Sequence, residues 1–261
     1  MKIALFLNKD IHANIAYNLL KPELLKHDVR IYYTDQVGKA SGKPEALQNL
    51  EYQEKERFFE EVAQTYASHE FEFLNEKFKS FPLQKAPKVN DSTFIALMKD
   101  FGPDLFISIR FGKIFKDEII SVPKHGLLNL HSGILPDYRG IMATLHALID
   151  QKNEIGCTLH SISDAGIDTG EIINKSSLKT KTDKSLLWHI CHVYPAGILQ
   201  MIEAIQQLEH QVIVQKKTQN LTEGRYFSTP TTQDFLNLKE SGFEVFTEAD
   251  YQAILKAFIA D

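Results

Sequence analysis

Six short runs dense in isoleucine, leucine and phenylalanine alternate along the chain with stretches of helical period, and few folds accommodate that alternation. The runs are 2–7 (KIALFL), 29–34 (VRIYYT), 104–110 (DLFISIR), 127–131 (LLNLH), 156–162 (GCTLHSI) and 171–176 (EIINKS). A strand that is apolar on both sides must be covered on both sides. The pattern therefore predicts an α/β fold built on an open, twisted, mostly parallel sheet with helices on both faces. Helices are expected over 11–20, 53–67, 92–100 (capped by Asp91 or Ser92), 140–151 and 184–210. The segment 35–52 has the glycine, proline and polar content of a loop. Beyond 210 the chain carries a strand-like VIVQKK, a turn-rich TEGRYFSTPTT and two short amphipathic helices, read as a small extension (211–261) of a main domain spanning 1–210.

Several function classes are disfavoured early. A net charge of -5 argues against a broad nucleic-acid footprint, which needs a basic face. The two cysteines form no CxxC pair and suit a reducing cytoplasm. The N-terminus, MKIALFLNKDIH, reads as a first strand rather than a signal peptide, and no run approaches the roughly 18 apolar residues of a membrane span. GKASGKP at 38–44 is one residue short between its glycines for a phosphate-binding loop and ends in proline. The first strand is followed by NKDIHA, without the glycines of a dinucleotide site. His189 and His192, flanking Cys191 in WHICHVYP, lack further metal ligands nearby and read as packed helix residues.

GLLNLHSGILPDYRG at 126–140 is different. Strand alternation puts Asn129 and His131 on one side, at the end of a strand where open α/β sheets bind ligands. An amide and an imidazole pointing together can polarise one carbonyl oxygen, and the histidine can carry a proton near neutral pH. Taken alone, the pair is equally a turn cap and a hydrogen-bonded core histidine. A second stretch, GCTLHSISDAGIDTGEII at 156–173, ends a strand in a loop bearing Asp164 and Asp168, with Gly166 and Gly170 around the latter. A carboxylate beside His131 would favour its charged form. Asp168 in an Asx turn is the alternative.

Together these two stretches resemble the signature of the folate-dependent formyltransferases. That family includes methionyl-tRNA formyltransferase, glycinamide ribonucleotide transformylase and sugar N-formyltransferases. The resemblance implies a Rossmann-like formyltransferase fold and 10-formyltetrahydrofolate as formyl donor, with no metal. It implies Asn129, His131 and Asp168 as catalytic residues. It also implies that Phe111, Gly112, Lys113, Ile114 and Phe115 present backbone to the pterin ring, with Ile134, Leu135, Pro136, Asp164, Gly166 and Ile167 completing the folate pocket. Two departures stand out: Gly133 occupies a position where the methionyl-tRNA branch carries serine, and Asp168 lies one residue farther from His131 than in the family pattern.

In the chemistry implied, an amine attacks the formyl carbon, Asn129 and protonated His131 stabilise the oxyanion, and Asp168 holds the imidazolium and helps remove the amine proton. For the acceptor, the segment after 210 is short and acidic compared with the basic barrel of the tRNA branch, while sugar N-formyltransferases commonly add a small dimerising extension. A nucleotide-linked amino sugar and a homodimer are thus the expected partners. Alternatives are a formyltetrahydrofolate hydrolase, a methionyl-tRNA or purine-pathway formyltransferase, and a non-catalytic folate- or nucleotide-binding module.

Overall fold

The computed structural model describes the chain except for residues 39–40, 67–69, 76–77 and 260–261. In chain order the strands are β1 (Lys2–Asn8), β2 (Asp28–Thr34), β3 (Leu83–Lys85), β4 (Leu105–Ile109), β5 (Leu127–His131), β6 (Tyr138–Gly140), β7 (Glu154–Ile162), β8 (Ile172–Lys179) and β9 (Arg225–Phe227). The helices are α1 (Ile11–Leu24), α2 (Glu45–Glu54), α3 (Ala63–Thr65, entered through a π-helical turn over Phe58–Val62), α4 (Ser92–Phe101), α5 (Asp117–Ile120), α6 (Ala143–Ile149), α7 (Leu186–His192), α8 (Tyr194–Glu209), α9 (Thr232–Glu240) and α10 (Glu248–Phe258).

Seven strands form one sheet in the order β3-β2-β1-β4-β5-β7-β8. Pairing is parallel from β3 through β5 and antiparallel for β5–β7 and β7–β8, which gives the mostly parallel α/β sheet expected. Alternation explains its two covered faces. Ile3, Leu5 and Leu7 of β1 join one core, while Ala4 and Phe6 join the other. Leu105, Ile107 and Ile109 of β4 repeat the first pattern and Phe106 the second. From β1 the chain goes to β2 and β3 on one side, then crosses to β4 on the other. The crevice outside the carboxyl ends of β1 and β4 is therefore the topological switch point of the sheet.

The local corrections have physical causes. Residues 45–52, expected as loop, begin helix α2: Leu47, Leu50 and Glu54 are buried at helical spacing, a period masked by the glycines and Pro44 before it. The helix expected over 53–67 is instead the end of α2, the π-helical turn and α3, and its last residue lies outside the described residues, as do positions 39 and 40 of the GKASGKP tract. The helix expected over 184–210 is divided into α7 and α8 around Val193, because Pro195 has no N–H to bond the preceding turn. VIVQKK forms no strand; Lys217 alone bridges to Ile172, and Ile213 is 79% exposed.

The stretch after 210 packs into the molecule. β9 pairs in parallel with β6, and Phe235, Leu238, Tyr251 and Ile254 belong to the larger core. Asp250 Oδ2 accepts from the Ser185 N–H at 2.7 Å, tying α10 to the start of α7.

Gly156 faces the β8 backbone so closely that a Cβ there would stand 1.8 Å from the Ser176 carbonyl oxygen. Gly156→Ala should therefore force β7 and β8 apart and destabilise the protein by about 3 kcal/mol or more. A fall in urea midpoint at unchanged slope checks this, and an unchanged midpoint would show that the strands yield freely.

Candidate active site

The sheet's alternation gathers the polar residues. On β5, Leu128 and Leu130 point into the larger core, so Asn129 and His131 point with Leu127 to the opposite face. On β7, Ile155, Cys157 and Leu159 enter the larger core, which leaves Thr158 and His160 on the face of Asn129 and His131. The antiparallel register then sets Asn129 directly opposite His160 and His131 opposite Thr158. One hydroxyl, one amide and two imidazoles are thus brought together at the carboxyl end of β5 without a loop having to position them.

Each is held by a specific bond. His131 Nε2 donates to the Tyr138 carbonyl at 2.7 Å, turning Nδ1 towards Asp168 Oδ2 at 3.4 Å. His160 Nδ1 donates to the Ser161 carbonyl at 2.9 Å, so its Nε2 is free to accept from the Asn129 amide at 3.0 Å. That same Nε2 lies 3.4 Å from Asp168 Oδ1. One amide N–H of Asn129 is used in this way, and a second is left for a ligand. Thr158 Oγ1 donates to the Gly133 carbonyl at 2.7 Å and accepts from the Leu135 N–H at 3.0 Å, fixing the turn after β5. Gly133 is needed there: a Cβ would stand 2.5 Å from the Ala143 Cβ and 2.7 Å from His131 Nε2.

Asp168 sits in the left-handed region at φ 55, a conformation aspartate tolerates better than most residues. The Gly140 N–H donates to Oδ2 at 2.8 Å, and Gln219 Nε2 donates to its backbone carbonyl at 3.1 Å. Burial pushes its carboxyl up, but His131 and His160 beside it and the Gly140 N–H together bring it down to about 2. Because the folded value lies below the unfolded one, the ionised group stabilises the fold above about pH 4, and that stability is lost as pH falls through about 2. Asp168→Asn should cost about 2 kcal/mol at pH 7, with the gap to wild type closing between pH 4 and 2. Urea titrations of both proteins across that range check it; a gap independent of pH would mean the carboxylate's charge contributes nothing to stability.

Asn129, His131 and Asp168 line one cavity of about 330 Å³. Phe111, Gly112, Lys113, Ile114 and Phe115 form one wall and Asp164, Gly166 and Ile167 another. The first wall is pinned from behind. Phe6 packs against Phe111 and Phe115 with ring centroids 5.2 and 5.0 Å away, and Lys113 Nζ donates to the carbonyls of Ala86 and Pro87. Gly112 lies so close to the Gln36 carbonyl that a Cβ would stand 1.7 Å from its oxygen. Three non-glycine residues with positive φ, Arg110, Met142 and Asp168, all line this cavity, as strained backbone at working sites often does. Ile134, Leu135 and Pro136 lie elsewhere: Ile134 borders a second cavity, Leu135 is wholly buried, and none of the three lines the cavity of Asn129 and His131. β7 pairs with β5 without interruption from Thr158 to Ile162.

Sequence reasoning missed His160, Arg110 and the contribution of the C-terminal stretch. His160 shares the strand face of Thr158 and could have been found had the β5–β7 register been known. Arg110 closes a strand whose apolar run looked complete without it. Thr229 reaches the cavity wall from beyond 210, which no local signal announces.

Comparisons with known proteins give a family and a fold. The family model described as formyl transferase matches residues 36–187, more than half of the chain. A methionyl-tRNA formyltransferase of Chlamydia abortus is 31% identical over 170 residues, covering 63% of this chain and 49% of that protein. The chain spans about half the length of the curated relatives it matches. A sugar N-formyltransferase from a Shewanella species superposes with a TM-score of 0.59 over 92% of this chain and 88% of its own, at 16% identity. An N-formyltransferase from Helicobacter canadensis, solved with folinic acid and dTDP-3-aminofucose, gives 0.56 over 99% of this chain and 81% of its own, at 20% identity.

Proposed function

The chain belongs to the formyl transferase family, and from that premise we propose that it transfers a formyl group from 10-formyltetrahydrofolate to a primary amine. The observation carrying this reading is the convergence of Asn129, His131 and Asp168 on one cavity, with His131 Nδ1 3.4 Å from Asp168. With Nε2 committed to the Tyr138 carbonyl, the His131 ring turns Nδ1 to the side of Asp168. Its Nδ1–H and the spare amide N–H of Asn129 are the donors for the oxyanion that forms when the amine attacks. Asp168, ionised throughout the working range, orients the His131 ring and accepts the amine's proton directly or through water; collapse of the oxyanion then breaks the bond from the formyl carbon to the folate nitrogen, which takes that proton and leaves as tetrahydrofolate. The segments 111–115 and 164–167 are the walls against which the folate would lie.

For the acceptor, we favour an amino sugar carried on a nucleotide. The support is structural: sugar N-formyltransferases superpose over about nine-tenths of the chain or more, including residues after 210, whereas the methionyl-tRNA formyltransferase match covers about half of those proteins. The main domain over 1–210 would hold the folate and the reaction, with the extension completing the cavity through Thr229. A screen of nucleotide-linked amino sugars, glycinamide ribonucleotide and methionyl-tRNA with 10-formyltetrahydrofolate, reading tetrahydrofolate and product mass, tests the assignment. Formylation of a nucleotide-linked amino sugar is the expected result. Formate release without an acceptor would favour hydrolysis, and formylated methionyl-tRNA would move the protein to the tRNA branch.

A further inference from the structure

Beneath the cavity, at the switch point between β1 and β4, lies a group of ionisable side chains that the formyl-transfer reading does not use. Asp10 follows β1, His12 sits in the first turn of α1, Glu54 ends α2 and Arg110 follows β4. Asp10 and His12 are wholly buried and Glu54 is 3% exposed. One ligand atom from each of Asp10, His12 and Glu54 lies within 4.8 Å of the other two.

Most buried polar groups find partners, because leaving them unmade costs free energy. Here neither ring nitrogen of His12 has a hydrogen bond, and neither has Glu54 Oε1, which stands 3.4 Å from His12 Nε2. Two ligands each about 2.1 Å from a tetrahedral metal are separated by about 3.4 Å. We propose that Asp10, His12 and Glu54 bind one divalent first-row transition-metal ion at the switch point of the sheet. One imidazole and two carboxylates form a nitrogen–oxygen ligand set of the kind such ions take.

Arg110 lies against both carboxylates and orients them. Arg110 Nε donates to Asp10 Oδ2 at 2.9 Å, and its NH2 group stands 3.9 Å from Glu54 Oε2, the oxygen other than the one near His12. Asp10 also accepts from Asn8 through Oδ2 and from the Ala13 N–H through Oδ1, which orients the carboxylate; Oδ2 is filled by Asn8 and Arg110, and Oδ1 keeps one lone pair for a metal. Glu54 and Arg110 form part of the cavity wall, giving an ion a route in. The sequence does not advertise the site, since its ligands come from three separate elements and no spacing links them.

The test is equilibrium dialysis of the full, untagged chain against Zn2+ and separately Mn2+, followed by metal analysis. The expected result is one ion per chain, with affinity falling at least about tenfold in both Glu54→Gln and His12→Gln. His131→Ala should bind as wild type, which separates this group from the histidines above it. Absence of binding by the wild type, binding unchanged in Glu54→Gln, or binding abolished by His131→Ala would each overturn the proposal. Should a variant fail to fold, the Co2+ spectrum of the wild-type chain decides. Ligand-field bands that persist in His131→Ala support the site, and the spectrum of the aqua ion alone overturns it.

Discussion

His131→Ala should lower the single-turnover rate of formyl transfer by roughly two to three orders of magnitude, about 3–4 kcal/mol, while the folate dissociation constant changes little. The reason lies in when its interaction becomes strong. A ground-state formyl oxygen carries only a partial charge, whereas amine attack places a full negative charge on it, and a preformed donor in a dry cavity gains most at that moment. His131 is preformed: its side chain is 8% exposed, Nε2 is anchored on the Tyr138 carbonyl, and Nδ1 faces Asp168. The walls expected to hold folate come from other segments, 111–115 and 164–167. Removing the imidazole therefore removes transition-state stabilisation and leaves ground-state binding in place. Equal losses in rate and in folate affinity would instead mark His131 as a binding residue.

Asp168→Asn should be more damaging, lowering turnover by roughly three to four orders of magnitude. The amide keeps the size of the side chain and can still accept from the Gly140 N–H. It removes the negative charge 3.4 Å from His131 Nδ1, and it cannot take a proton from the attacking amine. In wild type the carboxylate sits at about 2, so it is ionised throughout any working range. An acid limb in the wild-type profile should accordingly follow the acceptor's ammonium group. Rapid-quench measurement with saturating donor checks the loss, and a reduction of less than about tenfold would leave Asp168 a purely structural role.

The fold was legible in the sequence where the pattern was long and two-sided. Strands β1, β2, β4, β5 and β7 fall on apolar runs because each is buried between helices or neighbouring strands and carries few polar interruptions; β8, at the sheet edge with one buried residue, falls on the sixth. Shorter elements escaped: β3, β6 and β9 are three residues each, and their stability comes from partners distant in sequence. VIVQKK shows the opposite failure, since β-branched residues do not make a strand when no sheet edge takes them up, and here Lys217 alone bridges to Ile172. At the candidate site, strand position singled out Asn129 and His131 and the loop singled out Asp168, but their roles came from the resemblance those motifs carry. His160 could not be singled out, because it joins them only through the antiparallel register of β5 and β7. The cluster of Asp10, His12, Glu54 and Arg110 was equally hidden, being a product of where the sheet reverses its order rather than of any local motif.

The most direct measurement follows the formyl carbon itself. Wild-type protein in excess over 10-formyltetrahydrofolate labelled at that carbon is mixed with a nucleotide-linked amino sugar and quenched through one turnover. The label should appear in an amide on the sugar, matched one for one by tetrahydrofolate, and His131→Ala should slow its appearance without weakening donor binding. Label recovered only as formate, or transfer at the wild-type rate by His131→Ala, would contradict the account.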